Sequence, residues 1–329
     1  MNPIHTFSTV RRMFRMLGAA LLGTAAAAAA DEPKVVAYIP NRLDLPHFAE
    51  GIDYGKLTHI NVAFENPVND DGDFSFNEKD QALLVKAHEQ HIPVLVSIGG
   101  GGVAGNKALL ARYFALIAKD KRSGFSKRLA EYVDRHQFDG VDVDLEGPAI
   151  NQDYGPFIEA LSAVLEPGGK LLTAAVARDN GGAQISDSVF AHFNFVNIMA
   201  YDATGPWNPN RAGQHSSMDY AKTNVAYWLQ RGLAKSKVVL GVPFYGYGFG
   251  DDYRKGGYGY NELVGKYPGA ENLDQVGNTI WYNGIPTMKA KTKYVLDEGL
   301  GGLMIWALNM DLKDERSLLG AIHETLTAK

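Results

Sequence analysis

Three acidic residues alternate along one short segment, and their spacing could support acid–base chemistry. Asp142, Asp144 and Glu146 are separated by Val143 and Leu145. In a β-strand successive side chains point to opposite faces, so the three carboxyls would share one face at intervals of roughly 6.6 Å. Burial and like charge raise the pKa of at least one carboxyl in such a row. A carboxyl that keeps its proton near neutral pH can act as a general acid, and Glu146 is our candidate for that role.

Two other interpretations of this segment are open. An acidic edge strand would expose the carboxyls, but the intervening and flanking residues are apolar, which favours a buried strand. A magnesium or calcium site would also use carboxylates. Three acids on one strand lie in a line, however, whereas a metal needs ligands that converge, and no histidine joins them. We therefore favour acid catalysis and expect neither a metal nor a cofactor.

The segment belongs to a series of short apolar runs that recur along the chain. Their continuous apolar character is typical of parallel strands buried on both faces. The eight predicted strands cover residues 35–39, 59–64, 93–98, 140–145, 171–176, 195–200, 238–244 and 302–306.

Helical patterns lie between these strands. The clearest cover residues 79–90, 107–117, 125–136, 154–165, 218–230, 287–298 and 312–326. Eight strands alternating with helices over about 300 residues predict an α/β fold, a single-domain (β/α)₈ TIM barrel. A doubly wound open sheet is the alternative, because alternation alone does not separate the two. Residues 245–260, rich in Gly and Tyr, predict an irregular excursion after the seventh strand. Active sites of barrels lie at the C-terminal ends of the strands, where Glu146 would sit.

The first thirty residues have the pattern of a signal peptide. Arg11, Arg12 and Arg15 precede an apolar run at 16–25 and a stretch of alanines that ends at Ala30. The apolar run is shorter than the roughly 20 residues that a membrane span needs. We expect residues 1–30 to be removed on export to the periplasm or the medium, by the general or the twin-arginine route, leaving a catalytic domain at 31–329 without a membrane anchor.

Charge and cysteine content exclude several functions. The formal net charge is −5, and loss of the three arginines with the leader makes it −8. An acidic chain of this kind has no general attraction for nucleic acid or anionic membranes. The chain contains no cysteine, so thiol nucleophiles, disulfides and cysteine-based zinc sites are excluded.

Two weaker motifs do not support a site. Residues 100–105 fit G-x-G-x-x-G after a predicted strand, but a helical pattern occupies the place where a dinucleotide site needs its second strand. His88 and His91 are three residues apart rather than the four that two zinc ligands on a helix require. We interpret them as part of a solvated helix end at the bottom of the barrel.

Four motifs in the expected order resemble glycoside hydrolase family 18, the chitinases and endo-β-N-acetylglucosaminidases. The family pattern D-x-x-D-x-D-x-E matches Asp139 to Glu146. The third predicted strand has S-x-G-G from Ser97, the sixth has M-x-Y-D from Met199, and the eighth ends in Trp306. The resemblance covers nearly the whole chain after the leader.

The resemblance implies substrate-assisted retention, an exception to the usual two-carboxylate scheme. Glu146 would protonate the glycosidic oxygen while the 2-acetamido group of the substrate attacks the anomeric carbon. Asp144 would stabilise the oxazolinium cation, Asp142 would share charge and a proton with Asp144, and Tyr201 would hydrogen-bond the acetamido oxygen. The remaining residues that we assign to sugar binding or its support are Trp306, Asp202, Met199, Tyr38, Ser97 and Phe64.

The implied partner is an oligo- or polysaccharide that contains N-acetylglucosamine. Two departures bear on the polymer: Gly147 and Pro148 replace the aromatic–proline pair of many chitinases, and the connection between the seventh and eighth strands is too short for the family's large insertion domain. With only four tryptophans in the chain, we expect an open, shallow cleft. Soluble chitooligosaccharides, N-glycan cores and peptidoglycan fragments stay open as substrates. A carbohydrate-binding protein without catalysis is the alternative of another class.

Overall fold

A closed barrel of eight parallel strands forms the centre of the molecule. The computed structural model describes Met1 and residues 32–328, so the predicted leader at 1–30 lies outside the described residues. The strands follow chain order around the barrel, and the first pairs with the last. The barrel strands are β1 (Lys34–Pro40), β2 (His59–Ala63), β3 (Val94–Gly99), β4 (Gly140–Asp144), β5 (Leu171–Val176), β6 (Phe195–Ile198), β7 (Val238–Pro243) and β8 (Gly302–Trp306).

The predicted TIM barrel is confirmed, and closure between β1 and β8 excludes the open sheet. Helices surround the barrel, and their apolar faces pack on the outward residues of the strands. They are α1 (Leu45–Glu50), α2 (Asp80–Glu89), α3 (Gly102–Gly105), α4 (Lys107–Ile117), α5 (Arg122–His136), α6 (Tyr154–Leu165), α7 (Met218–Gln230), α8 (Tyr260–Lys266), α9 (Ile285–Glu298) and α10 (Leu318–Thr327).

The excursion after β7 is small. It carries two antiparallel pairs of two-residue strands, Tyr245–Gly246 with Tyr258–Gly259 and Gln275–Val276 with Ile280–Trp281, and the short helix α8. A contact between Tyr247 and Trp281 joins the two pairs. The predicted irregular excursion is therefore confirmed, and it lies beside the C-terminal ends of the barrel strands.

The connection from β5 to β6 lacks an α-helix and contains two 3₁₀ turns instead. Arg231, just after α7, holds this connection in place. Its guanidinium donates to Asp187 Oδ1 and the Gly182 carbonyl oxygen at 2.7 Å each, and to the carbonyl oxygen of Ile185. The cation also lies 5.1 Å from the centre of the buried Trp228 ring. One charged side chain thus replaces the packing that a helix would supply.

Replacing Arg231 with Met should lower the free energy of unfolding by about 2–3 kcal/mol, because several charge-assisted hydrogen bonds are lost from a mostly buried group. Chemical denaturation measures the change. Arg42→Met, at an exposed arginine, is the matched control and should stay near the wild-type value. Equal stabilities for the two variants would contradict this account of the β5–β6 connection.

Two carboxyl groups meet where β2 ends and α2 begins. Glu65 is 6 % exposed and Asp80 is fully buried. Asn41 donates to Glu65 at 2.9 Å, and Asn77 donates to Asp80 Oδ1 at 3.1 Å. Among the described residues, the carboxyl of Glu65 is the one group available to Asp80 Oδ2. Burial, together with the charge of Glu65, raises the pKa of Asp80 to about 8. The pair is therefore stable when it shares a proton.

An acid whose pKa is raised by folding contributes stability that is present below its unfolded pKa and is lost as the pH rises through its folded value. Stability should consequently fall between about pH 4 and pH 8 in the wild type. Asp80→Asn keeps a donor toward Glu65 without a titrating group, so its thermal midpoint should rise relative to wild type as the pH increases across this range. The exposed Asp71→Asn is the control. A constant difference between Asp80→Asn and wild type at all pH values would contradict proton sharing.

Candidate active site

Strand β4 presents its acids to the inside of the barrel. Asp142 is fully buried and Asp144 is 3 % exposed, while Val141 and Val143 point outward into the helical layer. Glu146 follows the strand and is partly exposed at its C-terminal end. The alternation predicted from the sequence is confirmed, and an exposed acidic edge strand was the wrong interpretation.

Asp142 is surrounded by neutral donors. Tyr38 and Ser97 donate to its Oδ2 at 2.5 and 2.7 Å, and Thr173 and Asn197 donate to its Oδ1 at 2.6 and 3.3 Å. Burial raises the pKa of this carboxyl, and the four hydrogen bonds oppose the rise because they stabilise the ionised form. The donors come from β1, β3, β5 and β6, so hydrogen bonds to Asp142 connect four other strands to β4 inside the barrel.

Two glycines at the end of β3 allow it to lie against β4. Gly99 has φ +102°, and a Cβ on it would lie 2.3 Å from the backbone oxygen of Asp144. Gly100 has φ +86° and donates its N–H to the same oxygen at 2.7 Å. A side chain at Gly99 would displace Asp144, and one at Gly100 would collide with the ring of Phe64. The S-x-G-G motif therefore has a steric role beside the hydroxyl that Ser97 supplies.

Asp144 lies above Asp142 and faces a cavity. Its Oδ1 is buried without a hydrogen-bond partner among the described residues. Burial is the largest cause that raises the pKa of Asp144 well above its usual value, and the charges of Glu146 and Asp142 add to it. A carboxyl in this state is suited to hold a proton or to receive a cation or an N–H group.

Glu146 stands at the mouth of the barrel. Burial raises the pKa of its carboxyl, and a hydrogen bond of 3.0 Å from Asn180 to Oε2 opposes the rise. The charge of Asp202 raises it further. The raised pKa that the acidic row predicts is present at Glu146 as well as at Asp144.

Two cavities meet at Glu146. The inner one, about 250 Å³, contains the side chains of Asp144, Tyr201 and Trp306. The outer one, about 320 Å³, lies toward the loops after β5 and β6 and is lined by Asn180 and Trp207 among others. Glu146, Met199, Tyr201 and Asp202 border both cavities. A chain of small rings could thus pass Glu146 with one ring on each side.

Aromatic side chains form the wall of the inner cavity. The rings of Phe64 and Trp306 stack with centres 5.6 Å apart and an angle of 22°, and Tyr38 lies 5.5 Å from Trp306. Trp306 is partly exposed toward the cavity. An apolar surface of this kind suits the face of a sugar ring.

The loop after β6 supplies the opposite wall. Tyr201 is 8 % exposed, and its neighbour Asp202 adopts φ +61°, an unusual conformation for a residue other than glycine. Tyr245 donates to Asp202 Oδ1 at 2.5 Å. His215 accepts the backbone N–H of Asp202 through Nδ1 at 3.4 Å, while its Nε2 lies 3.2 Å from the carbonyl oxygen of Tyr245. Since a carbonyl can only accept, Nε2 of His215 carries a hydrogen.

The structure brings the predicted site residues together, with Ser97 and Asp142 one layer below the cavity floor. Asp139, the first acid of the motif, lies elsewhere: it accepts from the backbone N–H of Val94 at 2.7 Å and pairs with His88 at 2.8 Å. The prediction that His88 belongs to a merely solvated helix end was therefore incomplete, because the histidine fixes the start of β4.

Several site residues were missed from the sequence. Thr173 and Asn197 are the polar positions within the otherwise apolar strands β5 and β6, a signal that could have indicated inward donors. Asn180, Tyr245 and His215 lie in loops, where no periodicity reveals which side chain turns toward the site.

Residues 32–328 contain no group of three or more His, Cys, Asp or Glu side chains arranged to hold a metal ion. Over the same residues, no helix combines the length and the apolar character that a membrane crossing requires.

The barrel, the acidic row on β4 and the aromatic wall all lie within the part of the chain that matches a known family. The chain belongs to the family described as Glycosyl hydrolases family 18, whose sequence model matches residues 34–311. It is similar to the family 18 chitinase ChiB from Flavobacterium johnsoniae, with 35 % identity, a TM-score of 0.83, and coverage of 90 % of this chain and 94 % of that one.

Two further proteins match this chain at lower identity. An endochitinase from Brugia malayi is 26 % identical over 79 % of this chain and 64 % of that protein, so the chain spans a little less than two thirds of this relative. A chitinase-like agglutinin from Robinia pseudoacacia has 20 % identity and a TM-score of 0.73 over 88 % of this chain and 99 % of that one. At this identity the agglutinin shows the fold alone.

Proposed function

We propose that this protein is a retaining glycoside hydrolase that cleaves β-1,4 bonds next to N-acetylglucosamine, acting as a chitinase on soluble chitooligosaccharides. The observation that carries the proposal is the position of Glu146 between two cavities of about 250 and 320 Å³, each of a size for one sugar. A bond between sugars in the two cavities would lie beside this carboxyl. Membership of family 18 and the similarity to chitinases support the same activity.

Glu146 is the proton donor in this proposal. Burial keeps its pKa above the ordinary value, so the protonated form persists toward neutral pH. Its partial exposure lets the glycosidic oxygen approach, and the same carboxyl can later take a proton from the water that completes hydrolysis.

The 2-acetamido group of the sugar in the inner cavity supplies the nucleophile. Asp144 has a free buried oxygen that can accept the acetamido N–H and stabilise the oxazolinium cation. Asp142, held by Tyr38 and Ser97, places negative charge beneath Asp144. Tyr201, which lines the inner cavity, donates to the acetamido oxygen and orients it toward the anomeric carbon.

Asp202 is the competing candidate for a nucleophile, since it borders both cavities. Its Oδ1 is engaged by Tyr245 at 2.5 Å, and its backbone is fixed against His215. We assign it to sugar binding together with Met199. Trp306 stacks on the face of the same sugar, Phe64 packs against the indole ring, and Tyr38 closes the base of the cavity.

Two other functions compete with a chitinase. An endo-β-N-acetylglucosaminidase would use the same inner cavity with an N-glycan or peptidoglycan. A lectin-like protein would bind the sugar without cleaving it. The presence of Glu146, Asp144 and Tyr201 in one cavity favours hydrolysis over binding alone. Product analysis with chitin oligomers, an N-glycoprotein and peptidoglycan side by side distinguishes the three: release of a high-mannose glycan would support the endo-glycosidase, and no product from any of them would support the lectin.

We also propose that the protein acts outside the cytoplasm. The supporting feature is the leader pattern of residues 1–30, which would leave residues 31–329 as the catalytic domain.

Glu146→Gln should lower kcat on a chromogenic di-N-acetylchitobioside by about 10³-fold or more, because the amide cannot donate the proton. Binding of a chitooligosaccharide, measured by calorimetry, should stay within a few-fold of wild type. The control is Glu159→Gln, at an exposed glutamate on α6, which should keep full activity. Undiminished turnover by Glu146→Gln would overturn the proposed function.

Asn180→Ala should move the alkaline limb of the kcat/KM profile to higher pH. The hydrogen bond from Asn180 stabilises the ionised form of Glu146, so its loss raises the pKa and the acid stays protonated to a higher pH. Asn272→Ala, at an exposed asparagine, serves as the control. A limb that stays in place or moves to lower pH would contradict this assignment of the limb to Glu146.

A further inference from the structure

Lys291 in α9 is completely buried, and it is the one lysine or arginine with this status among the described residues. Its ammonium group donates to the Ser216 carbonyl oxygen, to Ser216 Oγ and to Asn283 Oδ1, at 2.7 Å each. These partners are neutral, and no carboxylate of the described residues lies within ion-pair distance. A buried charge whose direct contacts are all neutral dipoles, with only the more distant Asp274 carboxylate to favour it, is an expensive way to fill a core position, so its presence needs an explanation.

The three acceptors match the three hydrogens of the ammonium group. Ser216 Oγ donates its own hydrogen to the carbonyl oxygen of Ala200 at 2.7 Å, so its lone pairs face Lys291. Asn283 donates to the carbonyl oxygen of Ser216 at 3.1 Å, which turns its amide oxygen toward the same lysine. Burial lowers the pKa of Lys291 to about 7, and the charge of Asp274 opposes this fall.

The network leads from Lys291 to the wall of the inner cavity. Ala200, bound by Ser216, directly precedes Tyr201 and Asp202. On the other side of Ser216, the backbone of His215 accepts the N–H of Ala203 at 3.0 Å, and its ring accepts the N–H of Asp202 at 3.4 Å. Residues 200–203 and 214–216 are thus joined by His215 and by the hydroxyl of Ser216, and Lys291 binds Ser216.

Asp202 makes the need for such support clear. Its φ of +61° is unfavourable for a side-chain-bearing residue, and such a conformation persists only where the surroundings hold it. Tyr245 and His215 constrain its side chain and N–H. The hydroxyl of Ser216 constrains the carbonyl of Ala200, two residues before it, and Lys291 orients that hydroxyl.

We propose that Lys291 is a positioning residue for the inner cavity, which acts through Ser216 to hold the Ala200–Asp202 segment in its productive conformation. The inference rests on the proposed glycoside hydrolase function for its kinetic consequence, and on the hydrogen-bond network alone for its conformational consequence. Lys291 touches neither cavity, so it contributes to turnover only through the placement of Tyr201 and Asp202.

The test compares two variants. Lys291→Met keeps the length of the side chain and its apolar packing but removes the charge and the donors, and Ser216→Ala removes the hydroxyl that links Lys291 to Ala200. At a temperature where both variants are folded, Lys291→Met should lower kcat on chitooligosaccharides about ten- to a hundred-fold, since small misplacements of orienting groups have effects of this size. KM should change by less than about three-fold. The control is Lys289→Met: Lys289 is on the same helix but pairs with Glu324 at the surface, and its loss should leave kcat unchanged.

A double variant shows whether the effect passes through Ser216. If it does, Ser216→Ala combined with Lys291→Met should be no slower than Ser216→Ala alone, because the hydroxyl through which Lys291 acts is already absent. A lower thermal midpoint with unchanged kcat would assign Lys291 to stability alone and overturn the proposal. Independent, multiplicative losses in the double variant would also overturn it. If Lys291→Met does not fold, unchanged kcat in Ser216→Ala would be the contradicting result.

Hydrogen exchange tests the inference without turnover. Peptides that cover residues 198–216 should exchange faster in Lys291→Met than in wild type, while peptides from β2 and β3 should not. No local change in this segment would overturn the positioning role. If the wild type cleaves no N-acetylglucosamine oligomer but this local change occurs, the proposed function fails and the positioning role stands.

Discussion

The burial of three carboxyls in a row on β4 is the constraint on which the rest of this structure depends. Asp142, Asp144 and Glu146 lie progressively nearer to the mouth of the barrel, and burial is the largest cause that raises the pKa of each. The hydrogen bonds that oppose this rise are distributed unevenly: Asp142 accepts four and Glu146 accepts one, whereas Asp144 Oδ1 has none among the described residues. The barrel thus holds one carboxylate at its centre that four hydrogen bonds stabilise. Above it lie two carboxyls with raised pKa and few hydrogen bonds.

Much of the surrounding architecture can be understood from this row. The Gly99–Gly100 pair exists where β3 must touch the backbone of Asp144. Four strands supply the neutral donors around Asp142, so its carboxylate receives all four hydrogen bonds only when these strands are assembled in the barrel. Farther out, Asp202 and Tyr201 complete the cavity from a strained loop, whose stability depends on His215 and, in our proposal, on Lys291.

The sequence predicts those parts of the fold and site that depend on local periodicity. Alternation within residues 140–145 predicts which acids face inward, and the apolar runs predict all eight barrel strands with boundaries within two residues. The helical patterns contain no helix after the fifth strand, and the structure has none there. Family resemblance, rather than periodicity, identified Tyr201, Asp202 and Trp306.

The missing parts depend on contacts between distant segments. Thr173 and Asn197 face Asp142 because of the register of three strands, which no local pattern contains. Asn180 reaches Glu146 from a loop 34 residues away in the chain. Arg231 and Lys291 look like ordinary surface cations on or beside amphipathic helices, and only their packing shows that one replaces a helix and the other is buried behind the site.

The central claim is that Glu146 works with the acetamido group of the substrate and not with a carboxylate nucleophile such as Asp202. The most direct measurement is kcat for aryl di-N-acetylchitobiosides whose acetamido group next to the cleaved bond carries zero, one, two or three fluorine atoms. Each fluorine makes the carbonyl oxygen a weaker nucleophile, so the account predicts a steep fall in kcat along the series. A kcat that does not depend on fluorine content would contradict it and would assign the attack to a protein carboxylate.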